Sequence, residues 1–406
     1  MPASELEKKI EESASELDSL LRHVRRHIHR NPELSRREYE TTAYLSTILE
    51  KEGISVTRWD DCTGLFAEVR GQRARPRIAL RCEIDAIGME DAKEVSYASK
   101  NPDAMHACGH DAHAAIVLGV ALTCQRVREH LKGTVRFIFQ PAEEVVPGGA
   151  LELIERDAME GVDAIIGFHS DPFLKIGTVG LKAGPTTASA DMFDISIIGK
   201  SGHTARPHHS KDTVLCAAKV IDSLHQLVDR EIDPREPFVL TIGKVHRGTS
   251  PNAIPEKAEI AGTVRTVREE TRRRMPDIIE RVIRGITDSM GVSYDFKYKL
   301  GSPPVVNDPD LIGLVEEMVV RDYGREKVIP VEQSMGGEDF SWYLDHAPGA
   351  LIRLGVTENG DGPSLHSNIF DIHENAIPFG VNLFSRILVA YLNQHGISDT
   401  THKSTD

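Results

Sequence analysis

The sequence predicts an α/β fold, a mostly parallel sheet flanked by helices, with a smaller α+β module inserted in it. Two observations carry this expectation. Between residues 54 and 168 short β-branched runs alternate with helical periodicity, the order that builds parallel sheets. From Asp191 to Leu300 the order changes to strand, helix, strand, strand, helix, strand.

The elements can be justified in turn. Leu6, Ile10, Leu17, Leu20, Leu21, Val24 and Ile28 fall on one face of a first helix, which Asn31-Pro32 should end. The basic run Arg22 to Arg30 reads as that helix's solvated face. A second helix is expected over Glu38 to Glu52, stopped by Gly53. ISVTRW, GLFAEVR and RIALRCEID read as strands, Ala114 to Val127 as a helix, and TVRFIFQ as a buried strand. Gly149 to Ala158 is helical again, and Ala164 to Phe168 is a further strand.

In the inserted module, DMFDISIIGK, PFVLTIGKV, AEIAGTVRT and SYDFKYKL are the strands. Its helices are Val214 to Val228 and Glu269 to Met290, with Arg272-Arg273-Arg274 on the surface of the second. That order matches the ferredoxin-like split motif. The expected division is a discontinuous catalytic domain, 1–188 and 301–406, around an inserted domain, 189–300. The final residues, SDTTHKSTD, are polar and expected to be disordered.

Composition excludes several classes. Lys and Arg number 48 against 62 Asp and Glu, a net charge of −14, whereas nucleic-acid binding needs a basic face. No run approaches 18 apolar residues, so no membrane-spanning helix is expected. The opening MPASELEKKIEE carries no apolar signal core. Five scattered cysteines make no disulfide framework, which suits a reducing cytoplasm.

The densest chemistry is Met105-His106-Ala107-Cys108-Gly109-His110-Asp111-Ala112-His113. Cys and His suit zinc and other borderline metals, and Gly109 would let a loop turn Cys108 and His110 toward one centre. The alternative is a histidine-rich helix cap around a buried thiol. In Gln140-Pro141-Ala142-Glu143-Glu144 two carboxylates follow a strand end, where neighbouring side chains point in different directions. One could hold metal while the other faces the substrate water; taken alone, the pair reads first as surface glutamates. His169 ends the apolar run AIIGF, and His366 lies in the loop GPSLHS. Each alone reads as an ordinary histidine. With Cys108, His110 and Glu144 they make five candidate ligands, enough for two ions sharing a bridge.

With these motifs the sequence resembles the dinuclear metallo-aminoacylase and carboxypeptidase family. The similarity is to its amidohydrolase branch, with hippurate hydrolases and plant indole-acetyl-amino-acid hydrolases. It runs from His29-Arg30-Asn31-Pro32-Glu33-Leu34 to Ala376-Ile377 and rests on MHACGHDAH, QPAEE, GFH, SGHTARPH, PNAIP, GTVRT, PVVND, MGGEDFSWYL and SLHS. The resemblance implies a metallopeptidase-like catalytic domain with two divalent ions per chain, manganese or zinc, with cobalt a further option. It implies Cys108, His110, Glu144, His169 and His366 as ligands, Glu143 as general base and Asp85 as their helper. It implies that His203 of the inserted domain meets the substrate oxyanion, in its own or a partner subunit's site. Asn252 and Arg265 resemble positions that hold substrate polar groups.

The implied reaction is hydrolysis of the amide of an N-acyl amino acid or a similar small conjugate. A homodimer or higher oligomer through the inserted domain is implied too. One departure stands out: the family's Arg-Ala-Asp-x-Asp-Ala-Leu-Pro reads here Arg81-Cys82-Glu83-Ile84-Asp85-Ala86-Ile87-Gly88. Glu83 and Gly88 keep open a specialised C–N hydrolase, a dipeptidase or an aryl-amine deaminase. A non-catalytic binding protein is the reading of another class, and the retained Glu143 and ligand set speak against it. Residues 88–100 are a possible wall of the substrate site.

Overall fold

The computed structural model describes residues 3–396; the expected disordered tail SDTTHKSTD lies outside them. The described chain divides into two compact units, one of residues up to 184 with 306–332 and 342 onward, the other of 185–305 with 333–341.

The first unit is built on an eight-stranded sheet. Its strands run in the order Ser55–Thr57, Leu65–Arg70, Thr134–Gln140, Arg77–Glu83, Ala164–Lys175, Gly349–Thr357, Val179–Leu181, Val328–Pro330. The four central strands are parallel, while the Leu65–Arg70 and Val179–Leu181 pairings toward the edges are antiparallel. Parallel strands are buried on both faces, which is why Thr134–Gln140 is buried along its length, Arg136 included. The helices Ala3–Arg30, His110–Arg126 and Ala376–His395 pack together on this core. The last is long and apolar enough to cross a membrane by composition, yet Phe384, Ile387 and Leu388 are fully buried, and Phe384 meets the Phe168 ring at 4.4 Å. It is a core helix.

Two expectations about charge are corrected here. Arg25 and His29 do not lie on a solvated face: they are 1 % and 0 % exposed. The buried stripe of the first helix, Leu21, Val24 and Ile28, widens at its end to take them in, because residues four apart share a face. Arg25 Nε donates to Asp111 Oδ2 at 2.7 Å, and His29 Nδ1 lies 2.8 Å from the same oxygen. Likewise Arg272 is buried. It falls on the inward face with Met275 and Ile279, where Nε lies 3.0 Å from Asp191 Oδ2 and Nη2 2.5 Å from the Gly301 carbonyl.

The second unit holds an antiparallel sheet in the order Phe238–His246, Lys257–Thr266, Asp191–Ile198, Ser293–Lys299. In chain order this is strand 2, 3, 1, 4, the ferredoxin-like arrangement. The alternating burial of Lys257–Thr266 turns Ala258, Ile260 and Val264 toward the helices Thr213–Glu231 and Glu269–Met290.

Candidate metal centre

The parallel strands of the first unit deliver the donors. Arg77–Glu83 ends just before Asp85, and Thr134–Gln140 ends just before Glu143 and Glu144. Open α/β sheets keep their sites at such carboxyl ends. His169 does not terminate its strand as expected, since that strand continues to Lys175. It is exposed to the site for another reason: the ladder with Arg77–Glu83 stops at Gly167, while pairing with Gly349–Thr357 runs on past it.

Gly109 turns the chain between Cys108 and His110. Its φ of +86° is left-handed, which favours glycine, and an added Cβ would crowd Ser170 Oγ at 3.0 Å. His110 then opens the helix His110–Arg126. His366 also has a left-handed backbone, φ +61°, fixed by its N–H donating to the Ala107 carbonyl at 2.9 Å.

The side chains converge. Cys108 Sγ lies 3.4 Å from His169 Nε2 and 3.5 Å from His366 Nε2. Glu144 Oε1 is 3.3 Å from His366 Nε2. Cys108, His110 and His169 each bring a donor atom within 4.8 Å of the others; so do Cys108, Glu144 and His366, and so do His110, Glu143 and Glu144. All five expected ligands and Glu143 therefore meet in one place. His110 Nε2 is buried there with no hydrogen-bond partner, an orphan that a metal would satisfy. The thiolate, imidazole and carboxylate donors suit a divalent metal ion.

The surroundings tune these groups. Asp85 Oδ1 lies 3.2 Å from His110 Nδ1, and Oδ2 accepts from Ser35 Oγ at 2.7 Å and from Glu144 N at 3.0 Å. Burial pushes the Asp85 carboxyl up, but these bonds, the His110 contact foremost, outweigh it and hold it at about 2. Burial pushes the Cys108 thiol up and, with the charge of Arg353, holds His169 well below its usual range. His169 is thus a neutral imidazole, the ligating form.

A buried chain that joins the departure at Glu83 to His113 lies beside the ligands. Arg81 Nη1 pairs with Glu83 Oε1, and Glu83 Oε2 accepts from His113 Nδ1 at 2.7 Å. His113 Nε2 accepts from Ser170 N at 3.0 Å. The longer carboxylate at position 83 therefore reaches the third histidine of MHACGHDAH. The signal was available in that histidine, three residues along the helix from His110.

His203, Asn252 and Arg265 belong to the second unit. His203 is exposed and pairs with Ala253 in a two-stranded ribbon, its Nδ1 accepting from Ala205 N at 3.0 Å. The Asn252 carbonyl accepts from Thr204 N at 3.3 Å, and Arg265 lies half-buried in the strand Lys257–Thr266.

A metal-dependent hydrolase is the class that this fold and donor set define. The pattern of peptidase family M20/M25/M40 matches residues 79–390, and the chain belongs to that family. It is 39 % identical over 363 residues to the N-acetyl-L-cysteine deacetylase of Bacillus subtilis, covering 89 % of this chain and 86 % of the relative. It is 41 % identical over 283 residues to the N-acyl-L-amino acid amidohydrolase of Geobacillus stearothermophilus, covering 70 % and 76 %. Among solved structures, a dinuclear metal-binding peptidase of the M20 family from Bacillus subtilis superposes with a TM-score of 0.83 at 36 % identity, over 93 % of this chain and 99 % of that one.

Proposed function

We propose that this enzyme hydrolyses the amide bond of N-acyl amino acids or similar small conjugates. In this reading Cys108, His110, Glu144, His169 and His366 hold two divalent ions, and Glu143 is the general base. The observation that carries it is the meeting of those five donors with Glu143 beside Glu144. Bound there, the ions would polarise the amide carbonyl and lower the pKa of water from about 15.7 toward 7.

The chain's own residues do the rest. Asp85 fixes the His110 ring through Nδ1, leaving Nε2 as the nitrogen that would hold an ion. Glu143 takes one proton from the attacking water as the water oxygen bonds to the carbonyl carbon. It then passes that proton to the departing nitrogen as the C–N bond breaks. The water's second proton stays on the new carboxyl group, so the products are a carboxylic acid and an amine, which exchange that proton to carboxylate and ammonium once released. On the resemblance alone, His203 is assigned the oxyanion contact, and Asn252 and Arg265 the substrate's polar groups. The finer expectations of a cytoplasmic homodimer or higher oligomer, and of manganese, zinc or cobalt, belong to the same proposal.

A panel of N-acyl amino acids, dipeptides and aryl amines, assayed with each of the three metals, tests it. Release of free amino acid from the acyl compounds is expected. Turnover confined to dipeptides or aryl amines would favour the second reading, a specialised C–N hydrolase, for which Glu83 in contact with His113 is the specific observation.

A further inference from the structure

Glu143 stands between two backbone amides, each held by a buried carboxylate. On one side Glu144 N donates to Asp85 Oδ2 at 3.0 Å; on the other Ala142 N donates to Glu38 Oε1 at 2.8 Å. Glu38 is 0 % exposed, and its second oxygen accepts from Thr63 Oγ1 at 2.7 Å. Both partners are neutral, so this carboxyl is buried at a cost that its hydrogen bonds only partly offset.

Glu38 is itself rigidly mounted. It immediately precedes the helix Tyr39–Lys51, and its carbonyl accepts from Thr42 N at 2.9 Å and from Thr42 Oγ1 at 2.6 Å. Thr42 Oγ1 in turn accepts from Gly64 N at 2.8 Å. The turn it reaches is strained. Ala142 has a φ of +54°, a left-handed backbone that a residue with a Cβ keeps only when its surroundings insist. Two contacts insist: Gly149 N donates to the Ala142 carbonyl at 2.9 Å, and Glu38 takes the Ala142 N–H.

We propose that Glu38 is a positioning residue for Glu143, holding Ala142 in its left-handed conformation and so fixing where the next carboxylate points. This rests on the reading of Glu143 as general base. The chemistry needed from Glu38 is an acceptor of that size, not a charge. A displacement of about 1 Å at a catalytic group can cost about a hundredfold in rate.

The test compares Glu38→Ala, Glu38→Leu and Glu38→Gln in the metal-loaded enzyme, with Glu143→Gln in parallel. Metal content, melting temperature, kcat and KM are measured for each. Ala and Leu should lower kcat by roughly 10- to 100-fold, with KM within about twofold and metal content unchanged. Gln, which can accept from Ala142 N and donate to Thr63 Oγ1, should stay within about threefold of the parent. Ala142→Gly added to Glu38→Ala should restore about tenfold, because glycine adopts the left-handed turn unaided. A folded Glu38→Leu with parental kcat overturns the proposal. So does a folded Glu38→Gln as slow as the alanine variant, even if Ala and Leu fail to fold, and so does a double variant no faster than Glu38→Ala. Turnover retained by Glu143→Gln overturns the general-base reading and this proposal with it. A dead Glu143→Gln beside a fully active Glu38→Leu overturns this proposal alone.

Discussion

The Asp85 carboxylate lies 3.2 Å from Nδ1 of His110 and leaves the opposite ring nitrogen, Nε2, buried without a hydrogen-bond partner. That contact, together with the Asp85 backbone carbonyl 3.0 Å from the same nitrogen, selects the tautomer with its proton on Nδ1, so the Nε2 lone pair is the one available to an ion. Loss of such an orienting carboxylate typically costs about 10- to 100-fold in metal affinity. Asp85→Ala should therefore bind metal about 10- to 100-fold more weakly in a chelator competition. Unchanged affinity would show that the backbone carbonyl of residue 85 orients the ring without the carboxylate.

Cys108 and Glu143 should separate cleanly in their effects. Cys108→Ser replaces a thiolate with a hydroxyl, a far poorer ligand at neutral pH, and elemental analysis should find less than the two ions per chain expected of the parent. Retention of both ions would remove Cys108 from the ligand set.

Glu143→Gln should keep the metal and lose turnover by about 10² to 10⁴, since glutamine cannot accept the water's proton. A variant that keeps more than about a tenth of kcat would exclude even the weak end of that range.

Much of this was legible in the sequence because periodicity and motif spacing are local. TVRFIFQ and Glu269 to Met290 form the elements expected of them, and side chains from MHACGHDAH and QPAEE lie close together. What was not legible depends on long-range pairing. Arg25 and His29 read as a basic face because Asp111, which neutralises them, lies more than 80 residues away. Arg272 reads as surface until Asp191, 81 residues away at the start of a sheet strand, is seen to receive it. Glu38 looks like one more charge at a helix start, and only the fold brings it to Ala142.

The Arg25–Asp111 pair allows a stability prediction. Both side chains are within 1 % of full burial, and Arg25 also pairs with Asp371. Removing one partner of a buried pair leaves an unpaired charge and typically costs about 3–5 kcal/mol. Arg25→Leu should lose about that much in urea denaturation. A loss below about 1 kcal/mol would mean that water or His29 takes over the charge of Asp111.

Glu38 also predicts a pH dependence. Burial, helped by the negative charge of Asp85, pushes its carboxyl up from 4.5 to about 7, against the opposing pull of Thr63 and the Ala142 amide. A carboxyl with a raised folded-state pKa binds more protons in the folded chain than in the unfolded one between those two values. Its contribution to stability is therefore present at the acid end and is lost as pH rises from about 4.5 through about 7, by up to about 3 kcal/mol. Asp85 has the opposite sign, being held low, and acts only below its ordinary value of 3.8, outside this window. Glu38→Gln removes the titration but keeps the hydrogen bonds. Urea denaturation of parent and variant across pH 4.5 to 8 should show the variant gaining on the parent as pH rises, then a constant difference above about 7.5. Subtracting the two profiles cancels every other titrating group that the substitution leaves alone. Parallel profiles would show that Glu38 ionises in the folded chain as easily as in the unfolded one, and that its burial costs no charge.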